Sequence, residues 1–196
     1  AVLLLLDEGH PDLVAARMTV AVEACAAGTR LDDALVDQWM GHRNEVSQLE
    51  ALISGGLVVD TMEITGPWST LPAIYEDTIA AIGAVPGTLA ASSHQSHAYS
   101  DGACLYFTFA GKPAPEEKDA YYRAVWDAGT RAVLQRGGSL SHHHGVGVNR
   151  SRFMAEALGD AFGAVIGIKE ALDPTGILNP GKLGLPDPFG TAPVWP

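Results

Sequence analysis

Two β-rich runs, Thr88 to Tyr99 and Ala103 to Ala110, stand on either side of Ser100-Asp101-Gly102. A connection that short joins neighbouring strands only as an antiparallel hairpin, because parallel neighbours need a crossover of a dozen or more residues. This excludes an all-parallel α/β sheet. Helical patterns flank the hairpin on both sides, so the fold class is α+β: an antiparallel sheet flanked by helices, with further helices toward the C-terminus.

The remaining elements follow from spacing and punctuation. Val2 to Leu6 is apolar and predicts a buried strand. Pro11 opens a helix in which Leu13, Val14, Met18, Ala21, Val22 and Cys25 recur at helical spacing until Gly28. Two more helices are expected from Leu31 to Met40 and from Asn44 to Ser54, the latter ended by Gly55-Gly56. Leu57 to Thr65 reads as a strand, and Ser69 as the cap of a helix carrying Leu71, Ile74, Tyr75 and Ile79. A long helix from Glu116 to Arg136 turns Tyr122, Val125, Trp126, Gly129 and Val133 inward and stops at Gly137-Gly138. A single helix from Arg152 to Leu172 is expected to align Gly159, Gly163 and Gly167 on one face, and a Pro- and Gly-rich segment follows from Asp173.

Charge and composition narrow the partners. Lys and Arg number 12 against 23 Asp and Glu, a net charge of −11, which argues against nucleic acid because that affinity needs a basic face. Cys25 and Cys104 form no disulfide framework, so a reducing, cytoplasmic location is the default. No run of ~18 uncharged apolar residues occurs, so no transmembrane segment is expected. The chain opens AVLLLLDEGHP, without Met or a basic leader, and reads as a downstream piece of a longer protein.

The candidate chemistry is concentrated in two places. His142, His143 and His144 stand in a row between Gly137-Gly138 and Gly145-Val146-Gly147. Three imidazoles so close cannot all carry charge without mutual repulsion, so at neutral pH most are expected to be neutral bases, suited to proton abstraction. The competing reading is a solvated loop. In the hairpin, alternation puts Ala103, Leu105, Phe107 and Phe109 on a core face and Cys104, Tyr106 and Thr108 on the other. Tyr106 is a candidate proton donor there, against the alternative of a buried tyrosine satisfied by a carbonyl. His94 and His97 are three apart, so in a regular strand only one shares the Tyr106 side. His97 with a member of the triplet matches no specific metal-binding spacing, and no metal is expected. Glu63 and Thr65 read as polar residues near a strand end.

SHAYSDGACLYFTF (Ser96 to Phe109), GGSLSHHHGVG (Gly137 to Gly147) and DPTGILNPGKL (Asp173 to Leu183) together resemble the C-terminal part of the FAD-linked oxidases of the vanillyl-alcohol oxidase superfamily, nearest to the alkyldihydroxyacetonephosphate synthase branch. In the glycolate and D-lactate branches the segment matching SHHHGVG reads more like SGEHGIG, which favours the synthase-like branch. The resemblance runs from about Ala1 to Leu183. It implies a ferredoxin-like cap domain over residues 1–150 and a helical segment, 151–196, that packs on an upstream FAD-binding domain. FAD is the implied cofactor. The implied reaction exchanges the acyl chain of an acyl-dihydroxyacetone phosphate for a fatty alcohol, giving an ether lipid without net redox change. Two alternatives are an FAD-dependent dehydrogenase or oxidase of a hydroxy acid or alcohol, and a non-catalytic acyl-chain or partner binding module.

By position, Tyr106 and the triplet His142, His143 and His144 match the family's catalytic residues; His144 and Asn179 are implied flavin contacts. The family's substrate-binding Arg, counted back from Trp68 without gaps, falls on Leu49; with a shifted alignment Arg43, or the neighbouring His42, is the candidate cation to replace it. A lipid or hydroxy-acid substrate, a homodimer, and a cytoplasmic enzyme peripheral to a membrane complete what the resemblance implies.

Overall fold

Apolar and polar residues alternate through Met62, Glu63, Ile64 and Thr65, which is the pattern of a strand with one face buried. In the computed structural model, which describes residues 1–43, 45 and 47–190, this segment is the first strand of the sheet. The chain divides into two compact units, Ala1–Glu50 and Ala51–Pro196.

The first unit holds α1 (Pro11–Ala24), α2 (Ala34–His42) and the start of α3 (Ser47–Ser54). Pro11 occupies the first turn of α1, where its missing N–H leaves nothing unsatisfied. The expected strand at Val2–Leu6 does not form. These residues make no ladder, and Val2, Leu3 and Leu6 are all more than half exposed, so an apolar run alone did not supply the pairing edge a strand needs. The expected helix start at Asn44 lies outside the described residues.

The second unit carries the sheet. β1 (Val58–Pro67), α4 (Leu71–Gly83), β2 (Thr88–Ala98), β3 (Gly102–Gly111) and α5 (Lys118–Gln135) follow in order, and the antiparallel strand order is β1-β3-β2. Beyond α5, Ser139 pairs with Thr65 in a lone antiparallel bridge on the free side of β1. This is the ferredoxin-like order of elements, with its fourth strand reduced to one bridge. The hairpin turns where expected. At the start of β3, a Cβ on Gly102 would lie 2.2 Å from the Gly66 carbonyl oxygen of β1, so glycine there lets β3 close against β1.

One face of the sheet is the core. Met62, Ile64, Ala103, Leu105, Phe107 and Phe109 pack against Leu71, Ile74 and Ile82 of α4 and Val125, Trp126 and Val133 of α5. Phe107 and Phe109 are fully buried, each contributing about 1.5–3 kcal/mol by removal from water. The inward face of α5 agrees with the sequence reading, with Tyr121 more buried than Tyr122. Helix α4 begins after Thr70 rather than Ser69, and no side chain caps it.

After the polar loop that follows α5 come α6 (Gly147–Ser151), α7 (Met154–Leu158) and α8 (Ala161–Leu172). The single expected helix over Arg152–Leu172 is therefore broken. Gly159 takes φ +52° and ψ −132°, a conformation open to glycine and foreign to a helix, so it ends α7 and leaves the face shared by Gly163 and Gly167. Among the described residues no helix is long and apolar enough to cross a membrane.

Candidate active site

The opposite face of the sheet carries the polar half of each strand. Antiparallel register places Glu63, Tyr106 and His94 side by side across β1, β3 and β2, with Thr65, Cys104 and Ser96 in the next row. His94 stacks flat on Tyr106, ring centroids 4.8 Å apart and planes 8° from parallel. Burial pulls the His94 imidazole below its ordinary pKa.

His97 departs from the alternation rule. A β-bulge between Ser96 and Ala98, with His97 at φ +46°, inserts one residue and returns its side chain to the Tyr106 face. His94 and His97 therefore share that face, contrary to the expectation for a regular strand. The His97 ring lies 5.3 and 5.0 Å from those of His142 and His143.

The triplet is delivered by the turn after α5. Gly137 sits at φ +73°, and a Cβ on Gly138 would fall 2.5 Å from Val133 Cγ1, so the pair allows the chain to leave the helix tightly and pass the β1 edge. The Ser139 amide donates to the Thr65 carbonyl at 2.8 Å, and the next residues cross over the polar face.

There the loop is pinned by Glu63, whose side chain is completely buried. Its Oε1 accepts the backbone amides of His142 (2.6 Å) and His143 (2.8 Å), and its Oε2 accepts the Ser141 hydroxyl (2.6 Å). Burial pushes the carboxyl up, but the Ser141, His143 and His142 hydrogen bonds outweigh it and hold Glu63 below its ordinary pKa. Arg150 of α6 donates to the Gly145 carbonyl at 3.2 Å and the Glu63 backbone carbonyl at 3.3 Å, and stacks on Trp126. It thus clamps loop to strand from the far side.

This arrangement gives the three imidazoles a common orientation. The Nδ1 atoms of His142, His143 and His144 all face the Glu63 carboxylate, at 3.8, 3.2 and 3.9 Å. The Nε2 atoms meet tyrosine hydroxyls: His142 with Tyr99 at 2.9 Å, His143 with Tyr106 at 2.8 Å and His144 with Tyr106 at 3.4 Å. Burial, with the Cys104 and Glu63 charges behind it, raises the Tyr106 pKa. Cys104 is buried beneath the loop, 3.9 Å from Glu63, and its thiol is pushed up to about 11 by burial and by that carboxylate.

Sequence reasoning thus brought together Tyr106 and all three histidines, and the structure joins them. It passed over Glu63, whose place opposite Tyr106 depends on the strand register, and Tyr99, which stands at the hairpin end. Asn179 is exposed, sits at φ +49° and makes no hydrogen bond to the triplet. Arg43 belongs to the other unit, where it closes α2 and lies over the Trp39 ring. Leu49 is an exposed residue of α3.

The loop surface also suits a flat ring. His143 and His144 are each about 40% exposed at the side chain (41% and 40%), and a Cβ on Gly145 or Gly147 would meet no atom within 4 Å. The backbone is thus open to a planar group laid against it.

The family model described as FAD linked oxidases, C-terminal domain, matches residues 1–183, and the chain belongs to that family. Its cofactor is FAD. The alkyldihydroxyacetonephosphate synthase of Trypanosoma brucei brucei is 42% identical over 96 residues, 48% of this chain and 16% of its own length. That of Dictyostelium discoideum is 31% identical over 153 residues, 74% of this chain and 25% of its own. An uncharacterized FAD-linked oxidoreductase, YgcU of Escherichia coli O157:H7, is 27% identical over 198 residues, 93% of this chain and 41% of its own. A solved alkyldihydroxyacetonephosphate synthase superposes with a TM-score of 0.48 at 24% identity, covering 70% of this chain and 23% of that one. The chain spans less than half the length of these relatives.

Proposed function

We propose that Tyr106, His143 and His144 are the proton-transfer groups of an FAD-dependent enzyme, with His142 as their neighbour and Glu63 as their support. The observation that carries this is the Tyr106 hydroxyl held between two imidazole Nε2 atoms, 2.8 and 3.4 Å away. A phenol hydroxyl donates to one such nitrogen while accepting from the other. A proton taken up at one imidazole can therefore be passed on without moving a side chain. The Glu63 carboxylate behind the Nδ1 atoms holds the loop by its backbone amides and so keeps the imidazoles turned toward Tyr106.

The reaction this reading assigns is exchange of the acyl chain of an acyl-dihydroxyacetone phosphate for a fatty alcohol, supported by the identity to proteins named alkyldihydroxyacetonephosphate synthase. One histidine removes the proton beside the substrate carbonyl, and Tyr106 serves the departing carboxylate. FAD, when bound, supplies the electrophile that receives the substrate carbon. His144 and Asn179 would hold the cofactor from this chain, and Arg43 would meet the substrate phosphate. Residues 1–150 form the substrate side and 151–196 return to the flavin domain. A homodimer in the cytoplasm, touching a membrane surface to collect a lipid, completes the reading.

A second reading, an FAD-dependent oxidation of a hydroxy acid or alcohol, is favoured by the match of an oxidoreductase across 93% of the chain. Anaerobic mixing of the full-length protein with acyl-dihydroxyacetone phosphate separates the two. Flavin bleaching reversed by fatty alcohol, with ether formed, supports the exchange; bleaching only by a 2-hydroxy acid, reversed by an electron acceptor, overturns it.

A further inference from the structure

Four potential ligand side chains converge at one point behind the triplet. His97, Cys104, His142 and His143 each offer a ligand atom, and these atoms all lie within 4.8 Å of one another. His142 Nδ1 and His143 Nδ1 face each other at 2.8 Å. Two imidazole nitrogens that close hold a proton between them, since two bare lone pairs would repel. Beside them stands the Cys104 sulfur on the floor of the site, and His97 is brought over it by the bulge. A tetrahedral ion with bonds of roughly 2.0 Å to nitrogen and 2.3 Å to sulfur needs ligand atoms roughly 3.3–3.5 Å apart. The observed separations, 2.8 Å between the two Nδ1 atoms and at most 4.8 Å across the set, lie on either side of that requirement.

We propose that His97, Cys104, His142 and His143 bind a divalent cation of the zinc class. The donor set is three imidazoles and one thiolate, which suits zinc and disfavours magnesium and calcium, whose ligands are oxygens. Glu63 completes the arrangement from outside the ligand set. It holds the loop by the amides of His142 and His143, so the two rings keep their mutual distance. On binding, the proton between the two Nδ1 atoms moves to an Nε2, and Cys104 releases its thiol proton to solvent. The cation then replaces both.

The site has a consequence for its neighbour. With Nδ1 on the metal, His143 keeps a proton on Nε2, the atom facing Tyr106, and can only donate to that hydroxyl. Zinc therefore removes one of the two acceptors available to Tyr106. Metal binding does not depend on the reaction assigned above and is read separately from it.

The test is equilibrium dialysis of the reduced full-length flavoprotein against zinc, with a cobalt(II) difference spectrum recorded to the red of the flavin bands. One metal ion per chain is expected, with ligand-field bands of a tetrahedral ion whose position shifts when Cys104→Ser removes the sulfur ligand. His97→Ala, an exposed position outside the core, is expected to weaken zinc binding by at least about tenfold. Absence of stoichiometric zinc overturns the proposal. So does zinc retained undiminished by both Cys104→Ser and His97→Ala, which would mean that the triplet alone binds it. Should Cys104→Ser fail to fold, His97→Ala decides alone.

Discussion

Removing the Glu63 carboxylate should loosen the histidine loop by an amount the structure allows one to work out. Two backbone amides at 2.6 and 2.8 Å and a hydroxyl at 2.6 Å, three close donors, end on this one side chain, with the Cys104 thiol behind them at 3.9 Å. A hydrogen bond to a charged group is worth about 1.5–3 kcal/mol net, and a buried donor left without a partner costs about 1–3 kcal/mol. Glu63→Gln keeps one oxygen for the two amides but removes the charge and sets an NH2 group near Arg150, whose guanidinium lies 3.9 Å from Oε2. The substitution should therefore cost the loop about 1.5–3 kcal/mol, which is roughly a 10- to 150-fold rise in local opening. Glu63→Ala strands all three donors and should cost about 3–5 kcal/mol. Amide hydrogen exchange of the full-length protein, read by mass spectrometry over residues 139–145, measures this directly. Exchange there should accelerate while the peptides of β3 and α5 stay protected. Unchanged exchange in the loop of a folded Glu63→Gln variant would show that the carboxylate does not hold it, and the account of the site's orientation would fail.

Three further outcomes are expected. Tyr106→Phe removes the hydroxyl shared by His143 and His144 and should lower turnover of the full-length enzyme by about 100- to 10,000-fold with flavin content unchanged; near-normal turnover would exclude Tyr106 from proton transfer. Gly138→Ala forces a Cβ to 2.5 Å from Val133 Cγ1 and 3.2 Å from Ile74 Cδ1, and should cost about 1–3 kcal/mol, seen as a lower melting temperature. Asp173 is held below its ordinary pKa by Lys169, against burial, and by the Leu178 and Ile177 amides. Its folded value is the depressed one, so its stabilisation of the turn after α8 is complete above the unfolded pKa of about 3.9 and is lost as pH falls through the folded value. Limited proteolysis near residues 173–182 should be steady at neutral and mildly acidic pH and rise only in strong acid, and Asp173→Asn should abolish that dependence.

Much of this arrangement was readable from the chain because it rests on short-range rules. The turn Ser100-Asp101-Gly102 allows one topology, and the alternation from Ala103 to Phe109 sorts core from site. The parts that were not readable depend on neighbours distant in sequence. The bulge that brings His97 to the Tyr106 side is a mismatch between two strands, invisible in either one alone. Glu63 looks like an ordinary strand residue until the register sets it opposite Tyr106 and the loop arrives from 78 residues onward. Val2–Leu6 has strand composition but no ladder, and Gly159 breaks a helix that periodicity alone would continue.

The two-sided sheet has one more consequence. Side chains on β3 alternate between the apolar layer under α4 and α5 and the row that holds Cys104 and Tyr106. A slip of one residue in the pairing of β3 would move Phe107 and Phe109 into water and drive Tyr106 under the helices in the same step. Stability and chemistry are therefore read out by the same registration. A chain that mispairs loses its core along with its site, so a stable, well-packed form carrying a scrambled constellation has no way to accumulate, and folding acts as the proofreader of the active site.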